Sequence, residues 1–187
     1  VLHDPRRHAD HPGFSKLFVQ TEFLPHRDVL LARRRPRGAD EHHPWLVHAA
    51  RGEGLLSHET DRGRFLGRGR GPDAPIALVS RAPLSGMTGD VLDPVLALRR
   101  IVELPPGATA RLHLLLAAAP SREEGLSIAD RLADTGMFET SRDRSVALAT
   151  RRLTDHGLSA RDGERLERLA AAMLYGDPAP RPAEGTA

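Results

Sequence analysis

Between His58 and Arg70 the chain reads His-Glu-Thr-Asp-Arg-Gly-Arg-Phe-Leu-Gly-Arg-Gly-Arg, and no other stretch gathers so many groups able to grip a ligand. Arg62, Arg64, Arg68 and Arg70 present planar donor forks suited to carboxylates, phosphates or paired sugar hydroxyls. Glu59 and Asp61 sit among them and neutralise part of that charge. Gly63, Gly67 and Gly69 let the backbone turn tightly and let another surface come close. Other chemistry is thinly spread. Glu22 and Glu103 would act as paired carboxylates only if the fold brought them together. His8 and His11 with Asp4 and Asp10, or His42-His43 with Glu41, imitate metal ligands. Neither set has a second ligand pair at an established spacing, so solvated loop histidines are the expectation and no metal or cofactor is assigned. Arg33-Arg34-Arg35-Pro36-Arg37 is the densest basic run, and a strand end projecting solvated arginines accounts for it.

The elements that must position these groups follow from the hydrophobic period. Lys16 to Leu24 alternates, with Leu17, Val19 and Phe23 on one parity and Thr21 as the exception. Pro25 to Asp28 turns the chain, Val29 to Arg35 returns, and Trp45 to Arg51 makes a third strand with Trp45, Val47 and Ala49 on one side. His58–Arg70 reads as a loop, and Ile76-Ala77-Leu78-Val79 as a short strand. Pro94 to Leu104 carries Leu96, Leu98, Val102 and Leu104 on one face, broken only by Arg100. Pro105-Pro106-Gly107 turns it, and Thr109 to Ala118 runs back with Leu112, Leu114 and Leu116 in register, an expected hairpin. After Pro120 the period lengthens to that of helices. Ser121-Arg122-Glu123-Glu124 is a capping box. Ala129, Leu132 and Ala133 line one face of the helix that follows, which Gly136 is expected to stop. A second helix ends at Gly157. Ser159 caps a third, with an apolar stripe of Leu166, Leu169, Ala170, Met173 and Leu174. Strands first and helices last, without βαβ alternation, imply an antiparallel β-sandwich with a helical appendage.

Composition excludes several classes. The 187 residues contain no cysteine, so disulfides and thiol chemistry are absent. The pI is about 9.8, yet the net charge is only +2. Nearly every basic residue is arginine, and no basic stripe with interleaved aromatics supports a nucleic-acid partner. No apolar run approaches the ~20 residues that span a bilayer, so no direct membrane insertion is expected. The N-terminus lacks the pattern of a signal peptide, and without an initiator Met the chain reads as a piece of something longer.

The arginine stretch also carries a resemblance. Glu59-Thr60-Asp61-Arg62 followed by Arg64-Phe65-Leu66-Gly67-Arg68-Gly69-Arg70 resembles the signature of the cellobiose-phosphorylase family of inverting carbohydrate phosphorylases, glycoside hydrolase family 94. It is most similar to the C-terminal phosphorylase-like region of cyclic β-1,2-glucan synthases. The flanks agree: His11-Pro12-Gly13-Phe14-Ser15-Lys16-Leu17-Phe18-Val19-Gln20-Thr21-Glu22 and Leu30-Leu31-Ala32-Arg33-Arg34-Arg35-Pro36-Arg37 before it, Gly89-Asp90-Val91-Leu92-Asp93-Pro94-Val95 and Pro105-Pro106-Gly107-Ala108-Thr109-Ala110 after it. The similarity runs in order over residues 10 to 177.

The resemblance implies a mainly β fold with C-terminal α: part of a galactose-mutarotase-like supersandwich, then two to three linker helices. On that reading 1–13 is an irregular lead-in, 14–119 the sandwich portion, 120–177 the helical linker and 178–187 a disordered tail. The family's sandwich has about twice the strands legible here, so an unpaired sheet edge or an exposed apolar face is expected. The family's general acid and phosphate-binding residues lie on an (α/α)6 barrel, and no residue here matches them. No catalytic residue is assigned, and the chain is expected to be inactive alone. Arg62, Arg68 and Arg70 are candidates for the rim of a glucan site. The alternative is a structural latch, in which Asp61 pairs with an arginine, Phe65 plugs the core, and Gly67 and Gly69 shape the turn. The expected function is a non-catalytic segment of a glycosyltransferase or glycoside phosphorylase of this type, supporting β-linked glucan binding and the parent's catalytic barrel. Its expected place is the cytoplasmic side of an inner-membrane synthase, or otherwise the cytoplasm. The helix over 160–175 offers a homo-dimer contact. A free-standing carbohydrate-binding β-sandwich is the other reading, which the scarcity of aromatics weakens.

Overall fold

A computed structural model of the chain describes residues 16–36, 38–131 and 135–175. The lead-in over 1–13, its histidines and the tail over 178–187 lie outside the described residues. Among the described residues seven strands form two antiparallel sheets. β1 (Val19–Leu24), β2 (Val29–Arg34), β3 (Trp45–Gly52), β5 (Gly89–Asp90) and β7 (Leu112–Ala119) make one sheet in the order β5-β1-β2-β3-β7. β4 (Leu55–Asp61) and β6 (Pro94–Ile101) make the other. Five helices complete the described chain: α1 (Arg62–Leu66), α2 (Ile76–Val79), α3 (Arg122–Arg131), α4 (Thr135–Asp155) and α5 (Ala160–Tyr175). These fall into two compact units, one reaching Thr135 and one starting at Gly136.

The larger sheet is apolar on both faces, α3 covering one and the β4–β6 sheet covering the other as far as β3. Val29, Leu31, Val47 and Ala49 are fully buried against α3, where Ala129 and Leu126 close the layer. Gly125 lets α3 come that close, since a Cβ there would sit 2.8 Å from a Val47 methyl. The Arg122 fork grips Glu22 on β1 through both its oxygens, Nη2 at 2.6 Å and Nε at 3.1 Å. The opposite face carries Leu30, Ala32 and Ala50, and the β4–β6 sheet lies over it. There the Phe23 and His58 rings stack at 3.9 Å, and the Thr21 and Thr60 hydroxyls hydrogen-bond at 3.0 Å. Arg100 ties the two sheets at one end. Its guanidinium donates to the Asp28 carboxylate at 2.8 Å, to the Gly54 carbonyl at 2.8 Å and to the Ala50 carbonyl at 3.0 Å. Arg100 thus breaks the apolar parity of β6 because it serves as a buried bolt.

Several sequence expectations are corrected. The hairpin does not form: β6 pairs with β4 and β7 with β3, in different sheets. Pro105 and Pro106 cannot donate to a ladder, and residues 102–111 instead carry the chain across the sandwich. Leu112, Leu114 and Leu116 share one face, as their period requires, and are exposed on it, whereas His113, Leu115, Ala117 and Ala119 share the parity that faces α3. The stretch from His58 is not all loop, since Leu55–Asp61 is a full strand. Ile76–Val79 is a helical turn rather than a strand. Arg99 donates to the carbonyls of Ala77, at 2.6 Å, and Ser80, at 2.9 Å, satisfying groups that a single turn leaves open. Gly136 does not stop a helix; it lies in the first turn of α4.

The Ser caps form, with the reciprocal carboxylate bond at Ser159. Glu124 N–H donates to Ser121 Oγ at 3.1 Å before α3. At α5, Asp162 N–H donates to Ser159 Oγ and Ser159 N–H donates back to Asp162 Oδ2. The Ser159 hydroxyl, donating to Asp162 Oδ2, and then the Ser159 amide hold the Asp162 carboxyl below its usual range. Gly163 sits against Leu153 of α4, a Cβ being 2.8 Å from its nearest methyl.

Candidate functional site

The arginine stretch is a corner at the end of β4, held from below by a carboxylate that faces no ligand. Glu59 is 2% exposed. Its Oε1 accepts the Thr60 and Asp61 amides, each at 3.0 Å, and its Oε2 accepts the Ser85 hydroxyl. Thr60 Oγ1 donates to the Met87 carbonyl at 2.8 Å, and the Gly86 amide donates to the His58 carbonyl at 3.0 Å. Thr21 Oγ1 accepts the Gly89 amide at 3.0 Å. His58, Glu59 and Thr60 of β4, together with Thr21 of β1, therefore pin the loop over 85–89. Arg99 fastens the start of that loop through the Ala82 carbonyl. Burial lowers the His58 imidazole below its ordinary 6.5, outweighing the opposing pull of Gly86 and of the Glu59 charge, so the ring packs neutral on Phe23.

Asp61 caps α1: its Oδ1 accepts Gly63 N–H at 2.8 Å and Arg64 N–H at 3.3 Å. Arg64 stands 3.9 Å from the other oxygen. Arg62 turns away toward Asp93, donating from its backbone amide to the Asp93 carbonyl at 2.9 Å and from its guanidinium to the carboxylate at 3.3 Å. Lys16 reaches the same carboxylate at 3.2 Å. Phe65 is half-buried. Gly67 closes α1 with φ +85° and ψ 156°, a region open only to glycine, with Ile76 so near that a Cβ would lie 2.9 Å from it. Gly69 also takes a positive φ, in open space. Arg68 is exposed, and Arg70 donates to the Ala74 carbonyl at 3.1 Å. Arg64, Arg68 and Arg70 thus point to solvent, while Arg62 is paired with Asp93, both side chains part-exposed.

Beside Asp93 the two sheets part around a cavity of about 240 Å³ lined by Lys16, Val19, Thr21, Ala32, Leu46, Pro94, Val95 and Leu96. Its wall is mainly apolar. The remaining candidates are not brought together. Glu22 is held by Arg122, whereas Glu103 lies on the connection beyond β6. His43 Nε2 lies 3.1 Å from Glu41, and His42 Nδ1 lies 3.1 Å from the Asp40 carbonyl. Among the described residues no three His, Asp or Glu cluster to hold a metal. Sequence reasoning missed Glu59, Ser85, Asp93 and Arg99 as the groups that organise the corner. The signal for Asp93 was present in Gly89-Asp90-Val91-Leu92-Asp93-Pro94, a stretch that carries part of the resemblance but shows no partner until the chain folds.

Two antiparallel sheets face to face, with a helix on the outer side of the larger one, define a β-sandwich module with a helical extension. The chain belongs to the glycosyl hydrolase 94 supersandwich domain family, whose model matches residues 1–135. It is also similar to the cyclic beta-(1,2)-glucan synthase NdvB of Rhizobium meliloti (strain 1021), with 31% identity over 173 residues. That match takes in 90% of this chain and 6% of the relative, so the chain spans a small part of the curated protein it resembles. No helix among the described residues is long and apolar enough to cross a membrane.

Proposed function

We propose that the chain is a non-catalytic supersandwich segment of a carbohydrate-active enzyme of the cyclic β-1,2-glucan synthase or cellobiose phosphorylase type. The observation that carries this reading is the match of 90% of the chain to one short stretch of a cyclic β-(1,2)-glucan synthase. The segment supports a catalytic barrel carried elsewhere on the parent, and residues 120–177 serve as the linker, with α3 held on the sandwich. The corner around Arg62 works as a latch, because Asp61 and Asp93 engage its polar groups internally. Arg68 and Arg70, which project outward, form the rim that meets a β-linked glucan. The segment works on the cytoplasmic side of the membrane that holds the parent synthase, and the apolar stripe of α5, with Leu169 and Met173 exposed, provides a contact for a second copy or for the barrel.

Calorimetric titration with linear β-1,2-glucooligosaccharides, cellobiose and a short DNA duplex tests the reading. Saturable heat with the β-1,2 series alone, abolished in Arg68→Ala/Arg70→Ala, supports a rim on this chain. No heat with any sugar limits the corner to its latch role, and salt-sensitive heat with DNA alone overturns the carbohydrate assignment.

A further inference from the structure

The face of the larger sheet that α3 covers is not apolar throughout, for one polar row crosses four of its strands. Asp90 of β5 stands opposite Gln20 of β1, and Gln20 stands opposite Arg33 of β2. The Arg33 guanidinium lies 4.8 Å from the centre of the Trp45 ring on β3. Strand alternation sets this row on the face of Glu22, Leu31 and Val47, each two residues further along its strand. Trp45 is half-buried and packs against the core beneath α3, so its indole is a fixed platform that steadies the arginine fork. Gln20 and Arg33 are half-buried and Asp90 is exposed. Among the described residues the side chains of Asp90, Gln20 and Arg33 find no hydrogen-bond or ion-pair partner. The adjacent row differs, since there Glu22 and Arg122 satisfy each other.

We propose that this row is a second sugar-binding site, separate from the Arg68–Arg70 rim, that takes adjacent hydroxyls of a β-linked glucan. That the sugar is a β-linked glucan rests on the functional reading given above; that the ligand is an uncharged polyol follows from the chemistry of the row. A guanidinium only donates, a carboxylate only accepts, and the glutamine amide between them does both. A hydroxyl needs one partner of each kind, so neighbouring hydroxyls laid along the row donate to Asp90 and accept from Arg33, with Gln20 serving either. Strands about 4.8 Å apart spread the three groups over about 10 Å, long enough to engage more than one hydroxyl. The charges of Arg33 and Asp90 cancel, which suits a neutral ligand, whereas an anion drawn to Arg33 would be repelled by Asp90. The indole face is occupied by the arginine, so the site reads hydroxyls through its polar groups and does not depend on ring stacking.

Trp45 is the one tryptophan of the sequence and its ring lies under Arg33, so its fluorescence reports on this row. The 187-residue chain is titrated with linear β-1,2-glucooligosaccharides, cellobiose and maltotriose, and with sodium acetate and sodium phosphate as anion probes, heat being followed alongside emission. The expected result is a saturable change in Trp45 emission with a β-linked sugar and none with the anions. Arg33→Met and Gln20→Ala, each checked for its fold by circular dichroism, should weaken that response at least about 10-fold, as the loss of hydrogen bonds to a ligand requires. Gln20→Ala leaves the indole and the guanidinium in place, so its effect reads the ligand and not the platform. Heat of sugar binding with unmoved Trp45 emission, indifferent to Arg33→Met, would overturn the proposal and leave the glucan reading standing. A Trp45 response to acetate or phosphate that no sugar gives would overturn it in favour of an anion site. No response to any sugar, in heat or emission, would also overturn it. A response to maltotriose alone, lost in Gln20→Ala, would uphold the row as a sugar site and sink the β-glucan reading by itself.

Discussion

At the scale of single residues, the corner is governed by groups that point inward. Glu59 satisfies two amides and a hydroxyl with one carboxylate, so Glu59→Ala strands the buried Thr60 amide and the half-buried Asp61 amide and frees Ser85. The expected loss is roughly 3 kcal/mol of stability, read by urea unfolding, with the loop over 85–89 exchanging amide protons faster. His58 has the opposite character: burial keeps it neutral, and its pKa is lower folded than the ordinary 6.5. The unfolded chain therefore binds its proton first as pH falls. The contribution of His58 is fully present above about 6.5 and is lost as pH drops from there toward the depressed folded value. Unfolding midpoints measured from pH 7.5 to 5 should decline, and His58→Phe, which keeps a ring on Phe23, should flatten that decline. The types at this corner were legible in the sequence. Which arginine faces which acid was not, because Arg62 meets Asp93 through a ladder joining strands far apart in the chain.

At the scale of elements, period told strands from helices but not partners from neighbours. β1, β2, β3 and the starts of the capped helices follow from alternation, Pro positions and Ser caps. α2 escaped because four apolar residues between turns fit either structure, and Arg99, distant in sequence, decides it. β4 escaped because Glu59, Thr60 and Asp61 look like a solvated loop until the strand beside them is known. The leucines of β7 misled for a different reason. Their spacing matches a buried face, and the face is bare only because the sheet opposite ends at β6. Arg100 shows how much one residue can do between elements. Arg100→Met keeps the stem but removes the donors to Asp28, Ala50 and Gly54, and should cost about 3 kcal/mol in chemical denaturation. Asp28→Asn should cost less, since both carbonyl contacts survive.

For the whole molecule, the family and the broad architecture were within reach of the sequence, whereas the division of strands between sheets was not. That division has a kinetic consequence. Because β6 and β7 sit in opposite sheets, the larger sheet closes only when Trp45 meets Ala119 and Gly52 meets Leu112. Arg122 can clasp Glu22 only after that ladder positions α3. Such long-range closure places the chain among slow folders, with relaxation in the millisecond-to-second range by stopped-flow. Arg122→Ala should then accelerate unfolding and leave the refolding limb of the chevron almost unmoved, because its clasp forms after the rate-limiting step. Until that step is passed, the leucines of β7 and the strand edges are open together, so the interval before closure is when this polypeptide is most exposed to aggregation.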